Sequence, residues 1–240
     1  MAWIDVRKAY DSVSHKWLLK MMTIHRFSPW ICRTISNLTR TWNTQIIART
    51  SRDHEQSDII RFKKGLPQGD ALCPRLFTPC LNTVTWKLKA TEGYNLSKPI
   101  ALKISNLLYI DYLKIYAASE SKLNTVLKTT KDAMKDIGLE WNSKKSSVAN
   151  IKRGKCVQGS DAKVDEEKVI KHLKEGTTYK FLGVLESVKQ EDKLTLECAA
   201  KIYLRRMSVI WSSPLSDENR ERTSNQFALP VLSYLMWTQI

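Results

Sequence analysis

The sequence predicts an α+β fold: a small antiparallel sheet with helices packed on one face, followed by a helical region. Three observations carry that prediction. Short runs such as "AWIDV", "NLLYID" and "YLKIYA" are apolar and alternating or rich in β-branched residues, as strands are. Longer stretches, among them "PRLFTPCLNTVTWKLKA" and "SKLNTVLKTTKDAMKDIGLEWN", repeat apolar residues at helical spacing. Finally, 42% of the 240 residues are hydrophobic, enough to fill the core of one large domain or two small ones.

Each element follows from local signals. "AWIDV" reads as a short buried strand, and "DSVSHKWLLKMMTIHRF" as a helix in which Trp17, Leu18, Met21, Met22 and Ile24 recur at helical spacing, with Ser14 as N-cap. Ser28 and Pro29 start a second helix, "PWICRTISNLTRTW", with proline in its first turn. "TQIIART" and "SDIIRFKKG" flank a polar connection and predict a hairpin. "GLPQGDALCP" is a loop punctuated by glycine and proline that opens a long helix. After a turn near Gly93, "ALKIS", "NLLYID" and "YLKIYA" read as strands about a tight turn, with Asp111 at or beside it. The helix "SKLNTVLKTTKDAMKDIGLEWN" ends at Gly138. From Ser143 to Glu175 the chain becomes charged and polar. Beyond it, "TYKFLGVLE" is strand-like, "DKLTLECAAKIYLRRMSVIW" is helical, and "SDENRERTSNQFALPVLSYLMW" begins a last helix capped by Ser216. This organisation divides the chain at 1–142, 143–188 and 189–240.

Composition narrows the partners. Lys and Arg exceed Asp and Glu by 15, a positive field that favours polyanions such as nucleic acid or an acidic membrane surface. The five cysteines form no C-x-x-C pair and the four histidines are scattered, so neither a zinc site nor a disulfide framework is predicted. That suits a reducing intracellular compartment, nucleus or cytoplasm. No apolar run approaches membrane-spanning length, and the C-terminal "FALPVLSYLMWTQI" is broken by Pro230, so no membrane partner is expected.

Two short strands each deliver an aspartate, Asp5 in "AWID" and Asp111 in "YIDY". Taken singly, either acid could be a turn former or an ion-pair partner. Paired carboxylates on neighbouring strands in a basic chain are also what phosphoryl transfer on two Mg²⁺ ions requires, because Mg²⁺ takes hard oxygen ligands and keeps room for water and phosphate. Two such ions about 4 Å apart activate an attacking 3′ oxygen and stabilise a leaving pyrophosphate.

In order along the chain, "AWIDVRKAYDSVSHKWL", "KGLPQGDALCPRLF", "LLYIDYLKIYA", "GLEWNSKKSSV" and "YKFLGV" resemble five successive palm and thumb motifs of reverse transcriptases, most like those of non-LTR retrotransposons. The match runs from residue 2 to beyond residue 184. The resemblance implies RNA-directed DNA synthesis from an RNA template, a DNA primer and dNTP, with two Mg²⁺ ions, or Mn²⁺, as cofactor. It makes 1–142 a palm, 143–188 a charged connection with primer-grip-like strands, and 189–240 a helical thumb-like region. Asp5 and Asp111 correspond to the catalytic metal ligands. Tyr10 resembles the aromatic gate that excludes a 2′-OH, and Gln68 and Gly69 belong to the loop that touches template and incoming nucleotide. Gly65 and Gly69 are expected to allow close backbone approach, and Asp11 to cap a helix or bond locally. Lys144 or Lys145 resembles the lysine that donates a proton to pyrophosphate, and Lys144 is taken as the candidate. Phe181, Leu182 and Gly183 resemble the primer grip.

The sequence departs from the family pattern twice. The third motif ordinarily carries two consecutive aspartates, and here Tyr112 follows Asp111. Loss of one such electrostatic partner commonly costs about two to three orders of magnitude in rate. Met1 also stands immediately before the first motif, where relatives place a fingers subdomain, so the expectation is a palm and thumb without fingers. These departures leave two alternatives: an impaired polymerase, or a silent remnant that only binds nucleic acid.

Overall fold

The computed structural model describes residues 1–49, 54–91, 93–96, 102–165, 169–187 and 189–238. They form two compact units, Met1–Val148 with Gly159–His172, and Ala149–Gln158 with Leu173–Ile240. Helices and small antiparallel sheets make up both, and no helix of the described residues is long and apolar enough to cross a membrane.

In the first unit, β1 (Ala2–Arg7) leads through a helical turn at Ala9–Ser12 into α1 (His15–Ile24) and α2 (Pro29–Thr41). Further on come α3 (Cys73–Lys89), the hairpin of β2 (Asn106–Tyr109) and β3 (Tyr112–Ile115), α4 (Glu120–Asp136), and the short strands β4 (Glu140–Trp141) and β5 (Ser147–Val148). The sheet order is β4, β1, β3, β2, with β5 sharing the outer edge of β1 with β4, and every pairing is antiparallel. Strand β1 is central because it is apolar on both faces: Ala2, Trp3, Ile4 and Val6 are all buried. Its register against β3 sets Ala2 opposite Ile115 and Asp5 opposite Tyr112.

The helices pack by the stripes the spacing predicts. Leu18, Met21 and Met22 of α1, Leu76, Phe77, Leu81, Val84 and Leu88 of α3, and Leu123, Val126, Leu127 and Met134 of α4 are all buried. Burying this apolar surface is what stabilises the unit, at about 25 cal/mol per Å² removed from water. The buried indole of Trp141 gives its N–H to Met134 Sδ at 2.6 Å, so no polar atom is orphaned there. Helix α4 ends in a Schellman motif: Gly138 adopts φ +78, and the Leu139 N–H bonds the Met134 carbonyl while the Gly138 N–H bonds that of Lys135.

Three local expectations change. The stretch from Asp11 is not one helix, because Val13 and Ser14 are extended, and α1 starts at His15. Ser14 does occupy the N-cap, but its hydroxyl makes no capping bond. The predicted hairpin forms in two ladders: Asn43–Thr44 pairs with Ile60–Arg61, whereas Ile47–Arg49 pairs with His54–Gln56, a polar segment not read as strand. Part of that connection, 50–53, lies outside the described residues.

The second unit contains β6 (Asn150–Lys152) and β7 (Lys155–Val157), the hairpin β8 (Tyr179–Phe181) and β9 (Val184–Glu186), and the helices α5 (Asp192–Trp211), α6 (Asp217–Thr223) and α7 (Leu229–Thr238). Ser216 caps α6 by accepting from the Asn219 N–H, as its position predicts. A π-helical turn, Ser224–Ala228, joins α6 to α7.

Candidate functional site

Asp5 is half-buried on β1, an inner strand of the sheet, and Asp111 lies in the two-residue turn between β2 and β3. Because Asp5 faces Tyr112 in the ladder, the turn residue Asp111 arrives beside Asp5 at one end of the sheet. The electrostatics agree. The Asp111 carboxyl is raised above its ordinary value chiefly by burial and further by the charge of Asp5, with its own backbone N–H acting in the opposite direction. The turn itself is strained: Ile110, β-branched, adopts φ +56. Residues directly opposite in an antiparallel ladder share a face. Tyr112, 38% exposed, therefore stands on the same face as the Asp5 carboxylate.

Tyr10 sits on the helical turn just after β1 rather than at a strand end. Its ring packs against Phe77 with centroids 4.9 Å apart. The phenol is raised by burial first and then by the charge of Asp111, so Tyr10 lies in the field of that carboxylate.

The "GLPQGD" loop is stitched to the segment after β1. The Gly65 N–H donates to the Val13 carbonyl at 2.7 Å, the Leu66 N–H to that of Tyr10 at 2.9 Å, and His15 Nε2–H to the Gly65 carbonyl at 2.7 Å. A Cβ on Gly65, at φ +89, would come within 3.0 Å of the Asp11 backbone, so close approach requires glycine there. Gly69 has open space around it, and only its φ of +96 calls for glycine. Gln68 Nε2 donates to Asp11 Oδ1 at 3.1 Å. A carboxylate only accepts, so the amide N–H of Gln68 is the donor here and its carbonyl oxygen is left as an acceptor. Asp11 thus bonds 57 residues along the chain, not locally.

Lys144 is exposed in the turn between β4 and β5, and that turn is fastened to Asp5. The Asn142 N–H donates to the Asp5 carbonyl at 2.9 Å, and the Asp5 N–H donates to Ser146 Oγ at 3.1 Å. Sequence reasoning missed Asn142 and Ser146; their only signal was membership of the "WNSKKSS" stretch. Asp5, Asp111, Tyr10, Gln68 and the Lys144 turn are therefore all tied to one end of one sheet, and Gly69 follows Gln68 in its loop.

The remaining three residues belong to the second unit. Phe181 is buried, Leu182 half-buried and Gly183 exposed, at a tight turn with φ +49 and +83 at the last two, as a type I′ hairpin demands. The Tyr234 hydroxyl donates to the Leu182 carbonyl, and a Cβ on Gly183 would meet the Tyr234 ring at 2.9 Å.

Known proteins are similar to this chain in sequence over most of its length. The model of the family "Reverse transcriptase (RNA-dependent DNA polymerase)" matches residues 1–185. The chain belongs to the reverse transcriptase family. Among curated proteins, this reverse transcriptase domain is similar to the "Retrovirus-related Pol polyprotein from type-1 retrotransposable element R2" of Nasonia vitripennis, 25% identical over 239 residues, covering 96% of this chain and 22% of that protein. The polyprotein of the same description from Popillia japonica is 24% identical over 238 residues, covering 96% and 32%. The type-2 element R2DM polyprotein of Drosophila melanogaster is 26% identical over 189 residues, covering 77% and 17%. The domain thus spans a third or less of these relatives.

Reverse transcriptases use divalent metal ions and a nucleic-acid template and primer. Among the described residues of this domain no cluster of three His, Cys, Asp or Glu could hold a metal. The candidate donors are a pair of carboxylates, one desolvated and repelled by the other. Two hard oxygen donors fit Mg²⁺ or Mn²⁺, which keep part of their shell for water and phosphate, and do not fit a closed zinc site.

Proposed function

We propose that this domain is the polymerase core of a non-LTR retrotransposon reverse transcriptase, impaired in turnover by Tyr112. Residues 1–142 are its palm, 143–188 a connection carrying the primer-grip hairpin, and 189–240 a thumb-like region. The observation that carries the proposal is the convergence of Asp5 and Asp111 at one end of the sheet, with Tyr10 beside them.

Asp5 and Asp111 would hold the divalent ions. When bound, such ions supply Lewis-acid activation of the primer 3′ oxygen and neutralise charge on the leaving pyrophosphate. The chain's own groups do the rest. Tyr10, its ring braced by Phe77, excludes a 2′-OH by bulk. Gln68 and Gly69 meet template and nucleotide, with the carbonyl of Gln68 accepting a donor. Lys144 protonates the pyrophosphate oxygen as it leaves. Phe181, Leu182 and Gly183 hold the primer end.

Tyr112 gives the second reading its basis: a phenol stands across from Asp5 where the family has another carboxylate, and the domain would then bind template and primer without extending them. Primer extension on an RNA template with dNTP and Mg²⁺ or Mn²⁺ separates the two. The expected result is extension at the edge of detection, raised about a hundredfold or more in Tyr112→Asp and abolished in Asp111→Ala. Extension in Asp111→Ala equal to that of the native chain would overturn the assignment of the carboxylate pair. No extension by Tyr112→Asp would favour the silent binder.

A further inference from the structure

The two edges of β1 are covered differently. Strand β3 pairs with it from Ala2 to Asp5, whereas the other edge is covered in two pieces, β5 at Ala2 and Trp3 and β4 at Val6 and Arg7. Asp5 falls in the gap between the pieces. Its N–H and carbonyl point into that gap, and no strand residue meets them. The turn 142–146 meets them instead, in a closed ring of three bonds: Asn142 N–H to the Asp5 carbonyl at 2.9 Å, Asp5 N–H to Ser146 Oγ at 3.1 Å, and the Ser146 hydroxyl to the Asn142 carbonyl at 2.9 Å. Ser146 is 5% exposed, so water cannot readily replace its hydroxyl.

We propose that Ser146 is a positioning residue for Asp5. Its hydroxyl takes the place of the missing ladder partner and fixes the Asp5 peptide. That sets the direction of the carboxylate toward a divalent cation and holds the turn of Lys144 and Lys145 at the same residue. A main chain left with a buried, unpaired N–H would shift to find a partner, and the carboxylate would shift with it. The proposal rests on the reading that Asp5 and Asp111 hold the cation.

The test is Mn²⁺ binding, followed by the electron paramagnetic resonance signal of the free aqua ion, on the native chain and on Ser146→Ala, Ser146→Thr, Ser147→Ala and Asp111→Asn. Ser147 is the control: it is 8% exposed and bonds the Lys171 carbonyl, not Asp5. Ser146→Ala is expected to weaken Mn²⁺ about tenfold, in the range of lost outer-shell partners, with Ser146→Thr restoring it and Ser147→Ala leaving it within about twofold. Native affinity in Ser146→Ala, or an equal loss in Ser147→Ala, overturns the proposal. Undiminished binding in Asp111→Asn would instead sink the carboxylate-pair reading beneath it. Amide exchange in the native chain gives a check that needs no variant: the Asp5 N–H is expected to be strongly protected, and rapid exchange there overturns the clamp.

Discussion

The carboxyl of Asp111 carries a conflict that the fold does not resolve by itself. Burial and the neighbouring charge of Asp5 both favour its protonated form. The folded chain therefore holds that proton more tightly than the unfolded chain. Between the ordinary value of 3.8 and the raised folded one, the folded state binds more protons, so stability falls as pH rises through that window. Above it, ionised Asp111 works against folding until a cation neutralises the pair. Asp111→Asn is accordingly expected to raise the thermal midpoint at pH 7 in chelator, with the gain vanishing at pH below 3.8. The native chain, but not the variant, should gain stability on adding Mn²⁺. A variant less stable than native at pH 7 would show that the carboxylate is already compensated. Such a trade, stability given up at a strained turn beside Ile110, is common at functional sites.

The elements that place these residues differ in how far the sequence announces them. Capping and turn signals act over a few residues, so Pro29 at a helix start, Gly138 at a helix end, Ser216 at an N-cap and the hairpin turn around Asp111 were all legible. What was not legible is set by partners far away in sequence. The Gln68 to Asp11 bond spans 57 residues and the Asp5 to Ser146 bond 141, and neither leaves a periodicity to read. The strand at His54–Gln56 was missed for a related reason, since its polar residues pair only because Ile47–Arg49 is across from them. The two glycines of the loop test this distinction. Gly65 is held both by its φ and by contact with the Asp11 backbone, while Gly69 is held by φ alone. In urea unfolding, Gly69→Ala should cost about 1 kcal/mol and Gly65→Ala about 2–4 kcal/mol, because only the second must also displace a docked backbone. Equal losses would mean that the loop is not seated on the segment after β1.

At the scale of the molecule, the decisive property is the charge of +15, which no single motif contains. The excess is uneven, 11 of the 15 charges falling in the first unit and 4 in the second, and a domain that takes a template and primer must hold their phosphates. Every phosphate neutralised releases condensed counterions, so the logarithm of affinity should fall linearly with the logarithm of salt concentration, with a slope of about −0.9 per contact on a duplex. An interface of six contacts predicts that affinity for an RNA–DNA hybrid drops about a thousandfold between roughly 50 and 200 mM salt. Fluorescence anisotropy of a labelled hybrid measures this directly. The same titration with Tyr112→Asp should give an unchanged slope, because position 112 lies opposite Asp5 in the ladder and supplies no cation to a phosphate. A loss below about tenfold over that range would correspond to no more than two contacts. That is too few for a template and primer, and the excess charge would then be a matter of solvation and not of binding.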